Sequence, residues 1–278
     1  FQNFPKSSYT ARALLRDGLL FYNDNENTKA LKNYQEIVAK YPNSSEAKEA
    51  VTNAKNVYVD LGTVDEYAIW VKGISFVNIT DAELDKTTYE SAENKFLAND
   101  IPKAIEGFKK YIQAFPKGLH ALQANFYLAQ LLVKTNLEED AIANYQYVLA
   151  LPQSEFSEEA LNKLSQILLE KEQWATAIPL LERLEQEANL PLNIVYAQSN
   201  LMKGYYQSQE YKKAVNYAEK ILLQDKIDAI VEYDAKIIIA RSAFQTEDYL
   251  KAEEFYTEVE RNANGELKAE ALYYSAYF

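Results

Sequence analysis

The fold is decided by two similar stretches, ALKNYQEIVAKYP at residues 30–42 and AIEGFKKYIQAFP at residues 104–116. Apolar residues of the first stretch recur at three- and four-residue spacing, as on one face of a helix: Leu31, Tyr34, Ile37, Val38 and Tyr41. Proline lacks a backbone donor and disfavours helical geometry in the residue before it, so this helix is expected to end at Pro42. The second stretch ends in the same way at Pro116.

The same pattern recurs along the whole chain. The alanine that opens it is found at seven positions, 36 to 38 residues apart: Ala30, Ala68, Ala104, Ala141, Ala177, Ala214 and Ala252. Twelve residues before most of these alanines stands another small residue, Met202 being the exception: Gly18, Ala92, Ala129, Ser165 and Ala240. Because small residues at both positions let two helices approach closely, we predict an all-α chain of about seven helical hairpins.

Two helices per unit, a small residue in each, an aromatic residue four positions after the second and a terminal proline resemble the tetratricopeptide repeat. The resemblance implies a right-handed superhelix of stacked helix-turn-helix repeats with a period near 37 residues. The junctions FPKSS, YPNSS and FPKG are similar to those of cell-envelope tetratricopeptide proteins of Gram-negative bacteria. Those proteins include outer-membrane assembly lipoproteins and the coordinator of the Tol-Pal system. This narrower likeness favours the periplasm or the outer-membrane periphery over the cytoplasm.

Three parts are expected along the chain: repeats over residues 1–72, an irregular link over 73–87, and further repeats over 88–278. The link holds residues that favour extended geometry: Ile74, Phe76, Val77 and Ile79. It is interpreted as a cover over the seam between two blocks of repeats, the alternative being an exposed segment that captures a partner. Pro5 ends a repeat, and ELKAEALYYSAYF at 266–278 reads as a first helix without its second, so we expect the chain to belong to a longer array.

Composition excludes several classes of function. The net charge of −12 argues against nucleic acid, whose phosphates require a basic face. Without cysteine, and with His120 as the only histidine, the chain offers no thiolate or multi-histidine metal site, so no cofactor is expected. A glycosidase with two carboxylates remains possible by composition, but the links between helices are short, and each carboxylate is better interpreted as solvated surface. No catalytic residue is predicted, and no segment is apolar for long enough to span a bilayer.

The resemblance implies that one face of each first helix lines an inner groove. The positions three before, one after and four after the small residue share that face. The groove residues predicted to contact a partner are Tyr89, Phe96, Phe126, Gln130, Asn162, Gln166, Lys203, Tyr206, Arg241 and Phe244. In no first helix do these positions combine the lysine and asparagine with which family members hold a chaperone's terminal carboxylate.

We therefore predict a non-catalytic scaffold that binds a peptide or protein segment in this groove. The alternative is the non-catalytic helical module of a larger cell-wall-processing enzyme. Lys203 and Arg241 are cations on an acidic chain, so an anionic group of the partner is expected beside them. The competing interpretation is that both side chains pair with neighbouring carboxylates such as Glu232 or Asp234.

Overall fold

The computed structural model describes residues 8–224 and 227–277, and these residues are all-α, with no strand among them. Its helices alternate with short turns: α1 (Ser8–Asn23), α2 (Asn27–Lys40), α3 (Ser45–Leu61), α4 (Val64–Lys72), α5 (Asp81–Leu97), α6 (Ile101–Ala114), α7 (Ala121–Lys134), α8 (Glu138–Ala150), α9 (Ser157–Glu170), α10 (Trp174–Glu187), α11 (Pro191–Gln207), α12 (Tyr211–Leu222), α13 (Ala229–Gln245), α14 (Tyr249–Asn262) and α15 (Gly265–Tyr277). This confirms the predicted fold class. None of the described helices is long and apolar enough to cross a membrane.

The chain divides into two units, Phe1–Asn144 and Tyr145–Phe278. Within the first unit, helices α1 to α7 pack against one another in chain order, and α9 to α15 do so within the second. The odd-numbered helices are the first helices of the hairpins, and the even-numbered ones are the second. In the first unit α1 also packs on α3 and α3 on α5, and in the second unit α11 packs on α13. First helices therefore lie beside first helices within each unit.

The turn inside each hairpin has one residue with left-handed backbone geometry. These residues are Asn25, Gly62, Asn99, Asn136, Glu172, Gln209 and Glu247, with φ between 55° and 77°. The backbone N–H of the next residue bonds back five positions, as from Gln173 to the carbonyl of Leu168 at 2.9 Å. Such a bond closes a Schellman motif, which satisfies the last carbonyls of the first helix. The same kind of turn therefore ends the first helix of each of these seven hairpins.

The positions of these left-handed residues show that the alignment predicted for the second repeat is wrong by one residue. Each of the other six stands five residues before a fully buried alanine, whereas Gly62 stands five residues before Tyr67. Tyr67 is 4% exposed, and Ala68 is only partly buried. The aligned position is therefore Tyr67, not Ala68, and the spacings on either side become 37 and 37 residues. A repeat that replaces its small residue with an aromatic one is invisible to an alignment on alanines.

Small residues bring the two helices of a hairpin together, as predicted. A Cβ built on Gly107 of α6 would lie 2.9 Å from the Cβ of Ala92 on α5. A Cβ on Gly18 of α1 would lie 2.5 Å from the ring of Tyr34 on α2. The aromatic residues four after the buried alanine are at most 1% exposed: Tyr34, Phe108, Tyr145 and Tyr256. These four rings lie in the core between the helices.

In the structure, residues 73–80 between α4 and α5 form no helix or strand. Helix α5 begins at Asp81 because Thr80 and Glu83 form a capping box, in which Thr80 Oγ1 accepts from Glu83 N at 3.2 Å and Glu83 Oε2 accepts from Thr80 N at 2.8 Å. Phe76 and Val77 pack against the core of the first unit. Both side chains are partly buried, and their packing favours a covering role for the segment over capture of a partner. The division of the chain at residues 72 and 87 stays a prediction, and the repeat end at Pro5 and the aromatic Phe278 lie outside the described residues.

Candidate functional site

The predicted groove face separates into a buried and an accessible part. Three positions before the small residue, the side chains are at most 9% exposed in five first helices: Leu15, Tyr89, Phe126, Ser199 and Ile237. The positions one and four after it are partly exposed throughout: Leu19, Tyr22, Glu93, Phe96, Gln130, Val133, Gln166, Leu169, Lys203, Tyr206, Arg241 and Phe244. A partner can therefore reach the residues at these two positions. Together with the partly exposed Asn162, we name them the first-helix face.

Tyr89 was predicted to contact a partner, but its side chain is only 5% exposed. Its ring stacks on His120 at 4.3 Å between centroids, and its hydroxyl donates to Glu93 Oε1 at 3.0 Å. Burial and this acceptor both raise the pKa of the phenol. Tyr89 therefore holds Glu93 and His120 in place from below the surface. His120 stands at the N-cap position of α7, where its side chain makes no cap hydrogen bond and its ring is instead stacked on Tyr89.

Phe126 is likewise a core residue, at 4% exposure, and supports its neighbours more than it offers contact area. Its ring meets that of Tyr127 edge to face at 5.8 Å, and Tyr127 stacks on Phe96 at 4.8 Å. Phe96 is partly exposed and belongs to the first-helix face, as does Gln130. The first unit thus offers one aromatic ring and one amide out of its four predicted residues.

In the second unit a chain of amides connects α9 to α11. Gln166 Nε2 donates to Asn162 Oδ1 at 2.7 Å, and Asn162 Nδ2 donates to Asn193 Oδ1 at 2.8 Å. Asn193 Nδ2 in turn donates to Glu158 Oε1 at 2.8 Å. The two predicted residues, Asn162 and Gln166, are therefore held in one orientation.

Glu158 ends this chain of amides. Its oxygens also accept the backbone N–H groups of Asn189 at 2.9 Å and Leu190 at 3.0 Å. Burial raises the pKa of this carboxyl, but the hydrogen bonds from Asn189, Asn193 and Leu190 outweigh burial and lower it. Glu158 is consequently an anion that only accepts, which fixes the direction of every amide in the chain.

Lys203 and Arg241 each make an ion pair between consecutive first helices of the second unit. Lys203 Nζ lies 2.5 Å from Asp234 Oδ2, which agrees with the competing interpretation of this lysine. Arg241 pairs with Glu270 of α15, donating from Nε to Oε1 at 2.7 Å and from Nη2 to Oε2 at 2.6 Å. An anionic group of a partner would have to compete with these carboxylates. The two cations therefore connect consecutive first helices, and their charges are already balanced by carboxylates of this chain.

Aromatic rings flank the two ion pairs. Tyr206 lies 5.9 Å from Tyr211, and burial raises the pKa of the Tyr206 hydroxyl. Phe244 lies 4.6 Å from Tyr274 and 5.9 Å from Tyr249. Both rings remain partly exposed. The second unit thus combines fixed polar groups with two accessible aromatic rings on one face, the composition that protein-binding surfaces favour.

The polar partners across the face were mostly missed from the sequence. Asn193 and Glu270 lie 31 and 29 residues from the side chains they bind. Only Asp234 was named, as a neighbour of Lys203. A scan for polar residues 29 to 31 positions further along the chain would have found all three partners. Among the described residues no group of three or more histidine, aspartate and glutamate side chains could hold a metal ion.

The chain is similar over most of its length to solved repeat structures. A tetratricopeptide repeat protein from Parabacteroides merdae aligns over 97% of this chain and 100% of its own, with 12% identity and a TM-score of 0.33. The C-terminal part of a TPR repeat-containing protein from Cytophaga hutchinsonii aligns over 93% and 99%, with 15% identity and a TM-score of 0.43. PilF from Pseudomonas aeruginosa aligns over 96% and 97%, with 13% identity and a TM-score of 0.39. No protein-family model matches the sequence, and no curated protein matches it.

The geometry of the chain itself identifies its architecture. Its hairpins recur every 36 to 38 residues, each with the same left-handed turn. Paired small residues bring the two helices of a hairpin together, and first helices lie beside first helices within each unit. By these features, the chain has the tetratricopeptide-repeat fold.

Proposed function

We propose that this protein is a non-catalytic scaffold that binds a peptide or protein segment on the first-helix face of its second unit. The observation that carries the proposal is the set of bonds Asn162–Asn193, Lys203–Asp234 and Arg241–Glu270. One such bond links each consecutive pair of first helices from α9 to α15. Side chains that are already ordered lose little conformational freedom when a ligand binds, which favours affinity.

The chemistry of the face indicates the kind of segment that binds there. Tyr206 and Phe244 offer apolar area, and aromatic residues are enriched in the energetic centres of interfaces. Asn162 and Gln166 offer amides, which can donate to and accept from the backbone of an extended segment. The proposed ligand is therefore an extended segment with apolar side chains, recognised partly through its main chain. On the first unit, Phe96 and Gln130 are the accessible members of the predicted set.

Affinity capture from the source organism, with this protein as bait, tests the proposal. The bait carrying Tyr206→Ala and Phe244→Ala is compared with the natural protein and with a control carrying Leu192→Ala and Leu250→Ala. Both control leucines are 83% exposed and lie outside the first-helix face. A true partner is recovered by the natural and control baits and is depleted from the double aromatic variant.

Calorimetry with the recovered partner then measures the contribution of the face. We expect the aromatic variant to bind at least about tenfold more weakly, near 1.4 kcal/mol, while the control binds within about twofold of the natural protein. Thermal melting of all three proteins checks that they remain folded. Equal loss of binding in both variants, or no loss in either, would contradict the proposed site.

The setting that we propose is a bacterial cell envelope. Support comes from the junctions YPNSS at residues 41–45 and FPKG at residues 115–118, which resemble those of envelope repeat proteins. Fractionation of source cells, with an antibody raised against this chain, tests the assignment. Recovery with the cytosolic fraction alone would overturn it.

A further inference from the structure

The link between α14 and α15 contains Asn264, the only asparagine of the sequence that a glycine follows. Ala263 ends α14 in extended geometry, and α15 begins at Gly265. Asn264 and Gly265 are both exposed. Gly265 has a φ of 60°, and a Cβ built on it would meet no atom within 4 Å. The pair therefore lies in open space, with a backbone geometry that glycine adopts without strain.

An asparagine in this position can react with its own main chain. The Gly265 nitrogen, once hydroxide has removed its proton, bonds to Cγ of Asn264, and the Cγ–Nδ2 bond breaks as ammonia leaves with a proton from water. The product is a cyclic imide. Water then adds to either carbonyl carbon of the ring and breaks its bond to the Gly265 nitrogen, which gives aspartate or isoaspartate. One water is consumed and one ammonia is released, and the side chain changes from neutral to anionic.

The reaction requires a Gly265 nitrogen that no acceptor holds. Gly265 is the first residue of α15, so its N–H has no carbonyl of the same helix four residues earlier. No other backbone carbonyl among residues 8–224 and 227–277 accepts from it. Its proton is therefore open to hydroxide.

The asparagines of the hairpin turns are placed differently. Asn25, Asn99 and Asn136 have left-handed geometry, and the N–H that follows each one bonds to a carbonyl five positions earlier. These N–H groups belong to Glu26, Asp100 and Leu137, and the bonds are 2.7, 2.9 and 2.8 Å long. A nitrogen held in this way must lose its hydrogen bond before it can attack, so the Schellman motif protects these asparagines.

The two products have different effects on α15. Aspartate keeps the length of the main chain, and a negative charge is favourable at a helix N-terminus. Isoaspartate carries the main chain through its side-chain carbons, which lengthens the link between Ala263 and Gly265 by one carbon atom. Ala263 is 4% exposed and belongs to the same core cluster as Ala271 of α15. Because both ends of the link are held by packing, the added carbon must displace α15.

We propose that Asn264–Gly265 is a site of spontaneous deamidation, and that its isoaspartate product weakens the docking of α15. Helix α15 carries Glu270, whose carboxylate binds Arg241 of α13. The link thus controls how firmly the last described helix is held. This modification does not depend on the proposed binding of a partner, since it is measured by mass and by melting.

Incubation of the purified protein at mildly alkaline pH, followed by digestion and mass spectrometry, tests the chemistry. The peptide that contains Asn264 should gain the mass difference between a hydroxyl and an amino group, and isoaspartate methyltransferase should label it. Asn43 is the natural comparison, because it is exposed and the N–H of the following Ser44 bonds to the carbonyl of Tyr41 at 3.0 Å. It should convert at least about tenfold more slowly than Asn264.

A synthetic peptide of residues 260–268 gives the rate without the fold. Asn264 of the folded protein should convert at a rate similar to that of the peptide. The site would be overturned if Asn264 stayed intact over an interval in which the peptide converts completely.

A matched variant isolates the role of the hydrogen bond. Glu26→Gly places a second pair of asparagine and glycine inside a Schellman motif, and the exposed Glu26 side chain makes no cap hydrogen bond that would be lost. In the folded variant Asn25 should convert at least about tenfold more slowly than Asn264, and in urea the two should convert at similar rates. Equal rates in the folded variant would contradict protection by the turn.

Thermal melting measures the effect on α15. Natural protein aged until Asn264 has converted should melt at least about 2 °C lower than fresh protein. Aged Asn264→Gln, in which the larger ring forms slowly, and fresh Asn264→Asp should both melt as the fresh natural protein does. An unchanged melting temperature of the converted natural protein, or an equal loss in aged Asn264→Gln, would refute the weakened docking.

Discussion

Arg241 and Glu270 are joined by two parallel hydrogen bonds, 2.7 Å from Nε to Oε1 and 2.6 Å from Nη2 to Oε2. The pair connects α13 to α15, and Tyr256 adds a third bond from its hydroxyl to Glu270 Oε1 at 3.3 Å. Two-pronged pairs of arginine and carboxylate are among the strongest ionic contacts in proteins. This one orders the C-terminal end of the first-helix face.

Stability should fall at acidic pH partly through Glu270. The hydrogen bonds from Arg241 lower the pKa of this carboxyl below its ordinary value of 4.5. The unfolded chain therefore binds the proton first, so the contribution to the free energy of unfolding is present above about pH 4.5 and is lost as the pH falls through the folded pKa. Glu270→Gln should cost about 1–3 kcal/mol at pH 7 and flatten this part of the pH profile.

Urea unfolding at several pH values between about 3 and 7 measures this effect. Glu254→Gln is the control, since Glu254 is exposed on α14 of the same unit. Its profile should follow that of the natural protein. A Glu270→Gln profile as steep as the natural one would show that the carboxylate titrates normally.

The corrected register of the second repeat can be tested by overpacking. Ala104 is fully buried, so Ala104→Leu forces extra methyl groups between two helices and should cost about 1–3 kcal/mol. Ala68 is partly exposed, so Ala68→Leu should change the free energy of unfolding by less than about 0.5 kcal/mol. Comparable losses in denaturant melts would restore Ala68 as the aligned position.

Gly107 should be required for its small size. Alanine is the better helix former by about 1 kcal/mol, but its Cβ would lie 2.9 Å from the Cβ of Ala92. The steric term is larger here because the neighbour is attached directly to backbone, so Gly107→Ala should destabilise the protein by about 1–2 kcal/mol. Adding Ala92→Gly should recover part of the loss in thermal melts. Gly73→Ala is the control, since its nearest contact would be at 3.4 Å.

Truncating a core side chain should lower the free energy of unfolding far more than truncating His120. Leu164 is 1% exposed, so Leu164→Ala should cost about 2–5 kcal/mol. Tyr145, also 1% exposed, should lose a comparable amount on replacement by alanine. His120→Ala removes one stacked ring and should cost about 0.5–1.5 kcal/mol, measured by chemical denaturation. Equal losses of unfolding free energy from His120→Ala and Leu164→Ala would contradict the burial of Leu164 in the core.

Much of the fold follows from local sequence. The aromatic-proline endings, the buried alanines and the ring four residues later all depend on helical periodicity, which is a property of neighbouring residues. The cap of α6 is a local feature as well, since the Asp100 carboxylate accepts from the N–H of Lys103. These signals suffice to predict an all-α array with a period near 37 residues.

The second repeat shows where a local signal fails. Ala68 satisfies the pattern of small residues, yet Tyr67 occupies the buried position because the turn at Gly62 sets the phase of α4. The phase of a helix is decided by the turn before it and by the surface on which it packs, and one alanine cannot specify either.

The sequence by itself determined the helices, their pairing into hairpins and the stripe of residues that forms the first-helix face. Only the tertiary structure decided which members of that stripe are accessible, because burial depends on packing between helices: Tyr89 packs against Tyr111 of α6, and Phe126 is only 4% exposed. It also decided that Lys203 and Arg241 are paired, since their carboxylates come from the next first helix, about 30 residues away. Periodicity reports contacts within a helix, whereas burial and ion pairing depend on contacts between helices, and these form only when the hairpins stack.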